Sequence, residues 1–154
     1  VWLDTKKKVE LELALLHRLL ESQRGLLNGV KDAEPDGTEL LAASALLHSF
    51  YTGVENIFKR IALEIDGSLP AGQKSHSDLL LQMDTQTGKR PPVIPEALRM
   101  RLGEYMDFRH VFRHAYSFDL RWSKMRGLVI NCDDTLSQLE AALDRFFDTD
   151  NCKL

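Results

Sequence analysis

Cysteine is almost absent: the 154 residues hold only Cys132 and Cys152, and neither has a Cys or His nearby at the spacing of a metal finger or redox pair. A disulfide-stapled scaffold is therefore excluded, and a reducing cytoplasm is the expected compartment. No run approaches the roughly 20 apolar residues that a membrane-spanning helix needs. Asp4, Lys6, Lys7 and Lys8 break up the N-terminus as a signal peptide, so no membrane partner is expected. The chain opens on Val1 rather than Met, and the native start is expected to lie outside it. Aromatics are few at 8%, yet 44% hydrophobic content over this length suffices for one domain, residues 1–154, to bury a core without staples. The net charge of -3 argues against an indiscriminate nucleic-acid binder. Gly67 to Gly72 encloses Pro70 but lacks the Gly-Lys-Ser/Thr element of a phosphate loop, so nucleotide binding by this chain is not indicated and no cofactor is expected.

What is present is helical periodicity. Val9, Leu13, Leu16, Leu20 and Leu27 make one stripe from about Asp4 to Val30, widened by Leu15, Leu19 and Leu26. Asp32, Pro35, Asp36 and Gly37 mark a turn, with Asp36 or Thr38 as the cap of a second helix running to about Ile65. Leu47, Phe50, Val54, Ile57, Ile61 and Ile65 give that helix its apolar face, which predicts it as the core partner of the first. A third helix spans Ser75 to about Gln86, capped by Ser75 or Ser77, with Leu79, Leu80 and Met83 inward. Pro91, Pro92 and Pro95 enforce a loop, and Pro95 suits the start of a fourth helix carrying Leu98, Leu102, Tyr105 and Phe108, with Val111 or Phe112 next. A fifth begins near Trp122 and repeats Met125, Val129, Cys132, Leu136, Leu139, Leu143 and Phe146, with a weak point at Asn131 to Asp134. Strand-like alternation persists nowhere. The expected fold is an all-α antiparallel bundle of about five helices.

Charge is uneven along this bundle. Between Arg99 and Arg126 seven basic residues face three acidic ones, a net of +4 that leaves -7 elsewhere. Inside that segment, Asp107-Phe108-Arg109-His110-Val111-Phe112-Arg113-His114-Ala115-Tyr116 places two arginines, two histidines, an aspartate and a tyrosine in under three helical turns. Arginine keeps its charge and histidine exchanges protons near neutral pH, a combination suited to phosphate chemistry. Arg109 and His114 are five residues apart, offset by roughly 140° on an ideal helix, so a shared site needs a distorted turn, a long reach or a second copy of the helix. In a two-fold cleft, His114 would act as general base on a ribose 2′-hydroxyl and Arg109 would stabilise the phosphoryl oxygens, giving a 2′,3′-cyclic phosphate without a metal. By residue type alone, His110 and His114 fit equally well as surface residues beside solvated arginines.

Two further readings stay open at this level. Asp107, His110 and His114 share one helical face, either as a metal-ligand stripe or as groups that orient and tune His114; Arg109 and Arg113 would repel a cation, which favours tuning. Glu55 lies in a largely apolar helix and either pairs with Arg109 or Arg113, or is solvated beside Lys59. His48 and His76 read as cap, packing or surface residues, His17 has no implied role, and Lys6-Lys7-Lys8 reads as a solvated helix start.

Arg109, four residues, His114, one residue, Tyr116 resembles the Arg-x-x-x-x-His-x-Tyr signature of HepT-like toxins in the HEPN superfamily. The stretch from Phe50 to Ile61 is similar to that family's second helix, and the likeness extends over roughly Leu40 to Phe147, with the first helix carried by pattern only. The resemblance implies a homodimeric, metal-independent RNase toxin with Arg109 and His114 catalytic; Asp107, His110, Arg113 and Glu55 are the expected supporting or RNA-binding residues. It also implies a MntA-like nucleotidyltransferase antitoxin that moves AMP from ATP to Tyr116. Nucleotide beside Arg109 and His114 would fill the cleft and repel RNA phosphate. By residue type alone, Tyr116 is an ordinary half-buried aromatic. The alternative is a catalytically silent helical module whose Arg/His cluster binds phosphate while it positions a nucleotidyltransferase or its nucleotide; a metal-dependent hydrolase using Asp107, His110 and His114 is the third reading. No base-reading element points to a particular RNA, tRNA included.

Overall fold

The computed structural model describes residues 2–151, apart from the side chains of residue 117 and residues 149–151; Cys152 lies outside the described residues. Every regular element among them is helical: α1 (Trp2–Ser22), α2 (Arg24–Gly29), α3 (Gly37–Ile61), α4 (Ser75–Asp84), α5 (Glu96–His114), α6 (Trp122–Ile130) and α7 (Cys132–Asn151). The five expected helices thus become seven segments, because two of them break. The first breaks at Gln23, whose N–H turns back to the Leu20 carbonyl at 3.2 Å, and the glycines at 25 and 29 weaken the helix beyond it. The last breaks at Asn131, whose side-chain amide donates to the Gly127 carbonyl at 2.8 Å and ends α6. Both breaks re-aim the chain without losing the stripe, since Leu27, Val30, Met125 and Leu136 all remain buried.

Helix α3 is the axis of the bundle and lies against α1, α4, α5 and α6. Asp36 starts it with a full capping box: its carboxylate accepts from the Glu39 N–H at 2.8 Å, and the Glu39 carboxylate accepts from the Asp36 N–H at 3.1 Å. At its far end the ladder widens into a π-helical turn, Ala62–Asp66, closed by Gly67 at φ 74°. Helix α1 runs antiparallel to α3, with Thr5 donating to Glu64 at one end and Leu16 meeting Gly53 at the other. A Cβ at residue 53 would stand 2.5 Å from Leu16 Cδ2, so only glycine allows this approach without repacking. Helix α7 is antiparallel to α1 in turn, through the stack of Trp2 on Phe146, the contact between His17 and Glu140, and the double bond from Arg24 to Asp133.

The periodic stripes form one continuous core, including Val9, Leu47, Phe50, Val54, Ile57, Leu79, Met83, Leu102 and Leu139. Leu15 departs from expectation and is more than half exposed at the edge of its stripe, while of Val111 and Phe112 it is Phe112 that is half-buried and Val111 that is exposed. Neither Ser75 nor Ser77 caps α4; Lys74 holds the cap position without a side-chain bond. Among the described residues no helix is long and apolar enough to cross a membrane.

One buried charge ties the long loop to the bundle. Arg90 is fully enclosed and bonds Asp66 twice, at 2.6 and 2.7 Å, then spends its remaining donors on the carbonyls of Gln82, Thr85 and Pro91. The pair therefore joins the end of the π turn, the end of α4 and the proline loop that launches α5. Removing the carboxylate would strand the guanidinium, which costs about 3–5 kcal/mol. Asp66→Ala is expected to lose that much in urea unfolding; a loss under 1 kcal/mol would show that the loop does not depend on the pair.

Candidate active site

The two arginines and two histidines of the Asp107 to Tyr116 run sit on the last two turns of α5, and α3 determines how the first of them is held. Glu55, on the buried face of α3, keeps only 3% of its side chain exposed. One carboxylate oxygen lies 3.4 Å from Arg109 Nη1 and the other 2.5 Å from His76 Nδ1 on the first turn of α4. The two readings of Glu55 are thereby separated: it pairs with Arg109, not with Lys59. His76 is no mere cap or surface residue but the second partner of this carboxylate, a contact across 21 residues that no local spacing announces.

Around the pair, α3 presents a polar seam to α5. His48, Tyr51 and Glu55 lie at helical spacing on one face, and His48 Nδ1, the Tyr51 hydroxyl and Arg109 Nε are buried with no hydrogen-bond partner among the described residues. The His48 ring stands 5.5 Å from Phe112 of α5. Burial, then the charges of Arg109 and Arg113, lower the pKa of His48 below its ordinary 6.5. Burial likewise raises that of the Tyr51 phenol, with Glu55 adding to the shift and Arg109 opposing it. Sequence spacing alone singled out neither residue; the available signal was three polar side chains on the otherwise apolar face of α3.

On the outer side, His76, Asp107, Arg109, His110 and Arg113 line a small cavity of about 160 Å³. The rings of His110 and His114 meet edge to face at 5.0 Å, so His110 is the group that touches His114. Asp107 is exposed and makes no hydrogen bond to either histidine, and among the described residues no group of three or more His, Cys, Asp or Glu is arranged to hold a metal ion. Arg109 is turned inward at 16% exposure, while His114 stands exposed at the end of the helix. The chain then leaves α5 through Ala115 in an extended conformation and presents Tyr116, which is 72% exposed rather than half-buried.

A family model described as HepT-like protein matches residues 42–149, from α3 to the end of α7. The chain belongs to the HepT-like family. That span contains the whole site of this HepT-like chain, Glu55 and His76 as well as Arg109, His114 and Tyr116. Neither the curated proteins nor the solved structures gave a match.

The lowered pKa of His48 fixes a sign for stability. A histidine whose folded pKa is depressed favours the native state in its neutral form, so its contribution is complete above about pH 6.5 and is lost as pH falls through the folded value. Thermal melts at pH 7.5 and 5.0 are expected to show a larger drop for the wild type than for His48→Gln. Parallel drops would mean that the seam does not hold His48 neutral.

Proposed function

We propose that this protein is a metal-independent endoribonuclease acting in the cytoplasm as the toxin of a toxin–antitoxin pair. The observation that carries the reading is the placement of the Arg109-x-x-x-x-His114-x-Tyr116 motif: within a HepT-like chain, its arginine is anchored on a buried carboxylate while its histidine and tyrosine face solvent. His114 takes the proton from a ribose 2′-hydroxyl, the oxygen attacks the adjoining phosphorus, and the 5′-oxygen of the next nucleotide leaves. Arg109 stabilises the negative charge that builds on the phosphoryl oxygens. His110, in ring contact with His114, orients it; Arg113 and Asp107 line the same small cavity and help to hold RNA.

Within one chain Arg109 turns toward α3 and His114 away from it, so the working site takes the two groups from paired copies of α5 in a homodimer. A MntA-like nucleotidyltransferase is the proposed antitoxin. The Tyr116 hydroxyl attacks the α-phosphorus of ATP, pyrophosphate leaves, and AMP remains on the exposed ring. The separation of Arg109 from His114 also favours a second reading, a silent HEPN module in which the cluster binds phosphate and cuts nothing.

Purified protein incubated with total RNA and tRNA in EDTA is expected to cleave, and His114→Ala to lose about 10²–10⁴ of that rate while keeping its fold and RNA binding. Equal cleavage by the variant would remove His114 from the mechanism. Binding without cleavage by either protein would leave the silent module. Incubation with ATP and the nucleotidyltransferase is expected to add AMP to the wild type and not to Tyr116→Phe, as read by intact mass; modification of both would move the acceptor elsewhere.

A further inference from the structure

Beyond the last turn of α5 the chain makes a tight turn that displays two aromatic rings to solvent. Tyr116 is 72% and Phe118 81% exposed, and their rings stack at 5.3 Å with only 3° between their planes. The turn is pinned reciprocally: the Asp119 N–H donates to the Tyr116 carbonyl at 2.9 Å, and the Tyr116 N–H donates to the Asp119 carboxylate at 3.3 Å. The stack is thus set by the backbone of the turn, and Phe118 belongs to no part of the core. Immediately after it, Asp119, Leu120, Arg121 and Lys124 border an open cavity of about 650 Å³ between α5 and α6, floored by Tyr105 and Met125. Arg121 and Lys124 are exposed and have no ion-pair partner among the described residues, whereas Arg101 on the far rim is engaged by Asp134.

We propose that Tyr116 and Phe118 form a stacking platform for an unpaired base of single-stranded RNA, with Arg121 and Lys124 taking the phosphates that flank it. Parallel rings leave an open π-face for a third ring to extend the stack, and unpaired RNA bases are held in this way on aromatic side chains. The neighbouring cations supply charge complementary to the backbone. Because the platform follows His114 by only two to four residues, a base stacked there places its own sugar and phosphate beside the histidine. Substrate choice then follows strandedness, since a base locked in a duplex cannot reach the platform. This inference rests on the RNA-directed reading above but not on catalysis.

The test uses a fluorescein-labelled 12-nucleotide RNA single strand carrying 2′-O-methyl riboses, which lack the attacking hydroxyl and are not cut, and a blunt duplex containing it, titrated with the wild type, Phe118→Ala and Phe118→Trp. Phe118→Ala is expected to weaken the single strand by about 5- to 150-fold, the range for loss of one base–aromatic stack, with little change on the duplex, and Phe118→Trp to restore it. Sedimentation of each protein runs alongside. Unchanged binding by Phe118→Ala, an equal loss on both RNAs, no binding by the wild type, or a loss accompanied by a change from dimer to monomer would each overturn the platform. If binding falls as expected but the wild type cleaves no RNA, the platform stands and the nuclease reading falls.

Discussion

A carboxylate at 3% exposure in the middle of a helix bundle must be paired, and the rest of the site follows from how Glu55 is paired. Leaving a buried charge without its partner costs about 3–5 kcal/mol, a large share of the stability of a domain this size. Glu55 meets this demand by reaching one way to Arg109 of α5 and the other way to His76 of α4. One oxygen thus ties α5 to α3 and the other ties α4 to it, alongside the apolar packing of both helices. The motif's arginine is consequently part of the packed interior as well as part of the proposed chemistry.

That division explains the gradient along α5. Leu98, Leu102 and Tyr105 are buried, Arg109 is held on Glu55, Phe112 still meets His48 of α3, and His110, Arg113 and His114 are exposed. Tyr105 closes the buried half by donating its hydroxyl to the Leu128 carbonyl at 2.6 Å, which locks α5 to α6. Rigid packing below and open solvent above give His114 and Tyr116 a fixed base with room for a macromolecule to approach. Arg90 and Asp66 serve the same end at the start of the helix, because the loop they clamp delivers Pro95 to the cap position just before the first turn.

Much of this was legible in the sequence, and what was not has a common cause. Apolar spacing located the long helices and most of the core, though it passed over Leu46, Phe58, Val93, Ile94 and Phe147, and Asp36, one of the two expected caps, starts α3, because each of those signals is local. The break at Gln23 was hidden, since the apolar stripe continues across it and only a turn bond marks the stop, whereas the break at Asn131 falls in the weak point expected at Asn131 to Asp134. His76 on Glu55, Arg90 on Asp66, and the seam of His48 and Tyr51 are partnerships across helices, which periodicity cannot rank. In the site the sequence placed Arg109, His114 and Tyr116 on one short segment, but which of them faces inward depends on Glu55, more than 50 residues earlier.

The same inward and outward split bears on control. A modification that must silence an active site without unfolding the protein needs an acceptor that contributes little to the core, close to residues that do the work. Arg109 fails the first condition because its pairing supports the interior, and the buried Tyr51 and Tyr105 fail it more completely. Under the proposed function Tyr116 meets both: its ring is mostly exposed and stacks on Phe118, and its position is fixed by bonds of the turn that an added group on the hydroxyl does not touch. Under the proposed nucleotide addition, the new phosphate would stand beside His114 and the arginines, and the adenine would compete for the aromatic surface that a substrate base requires. Charge and stacking would then be blocked together by one covalent change, while Glu55 goes on holding the helices in place.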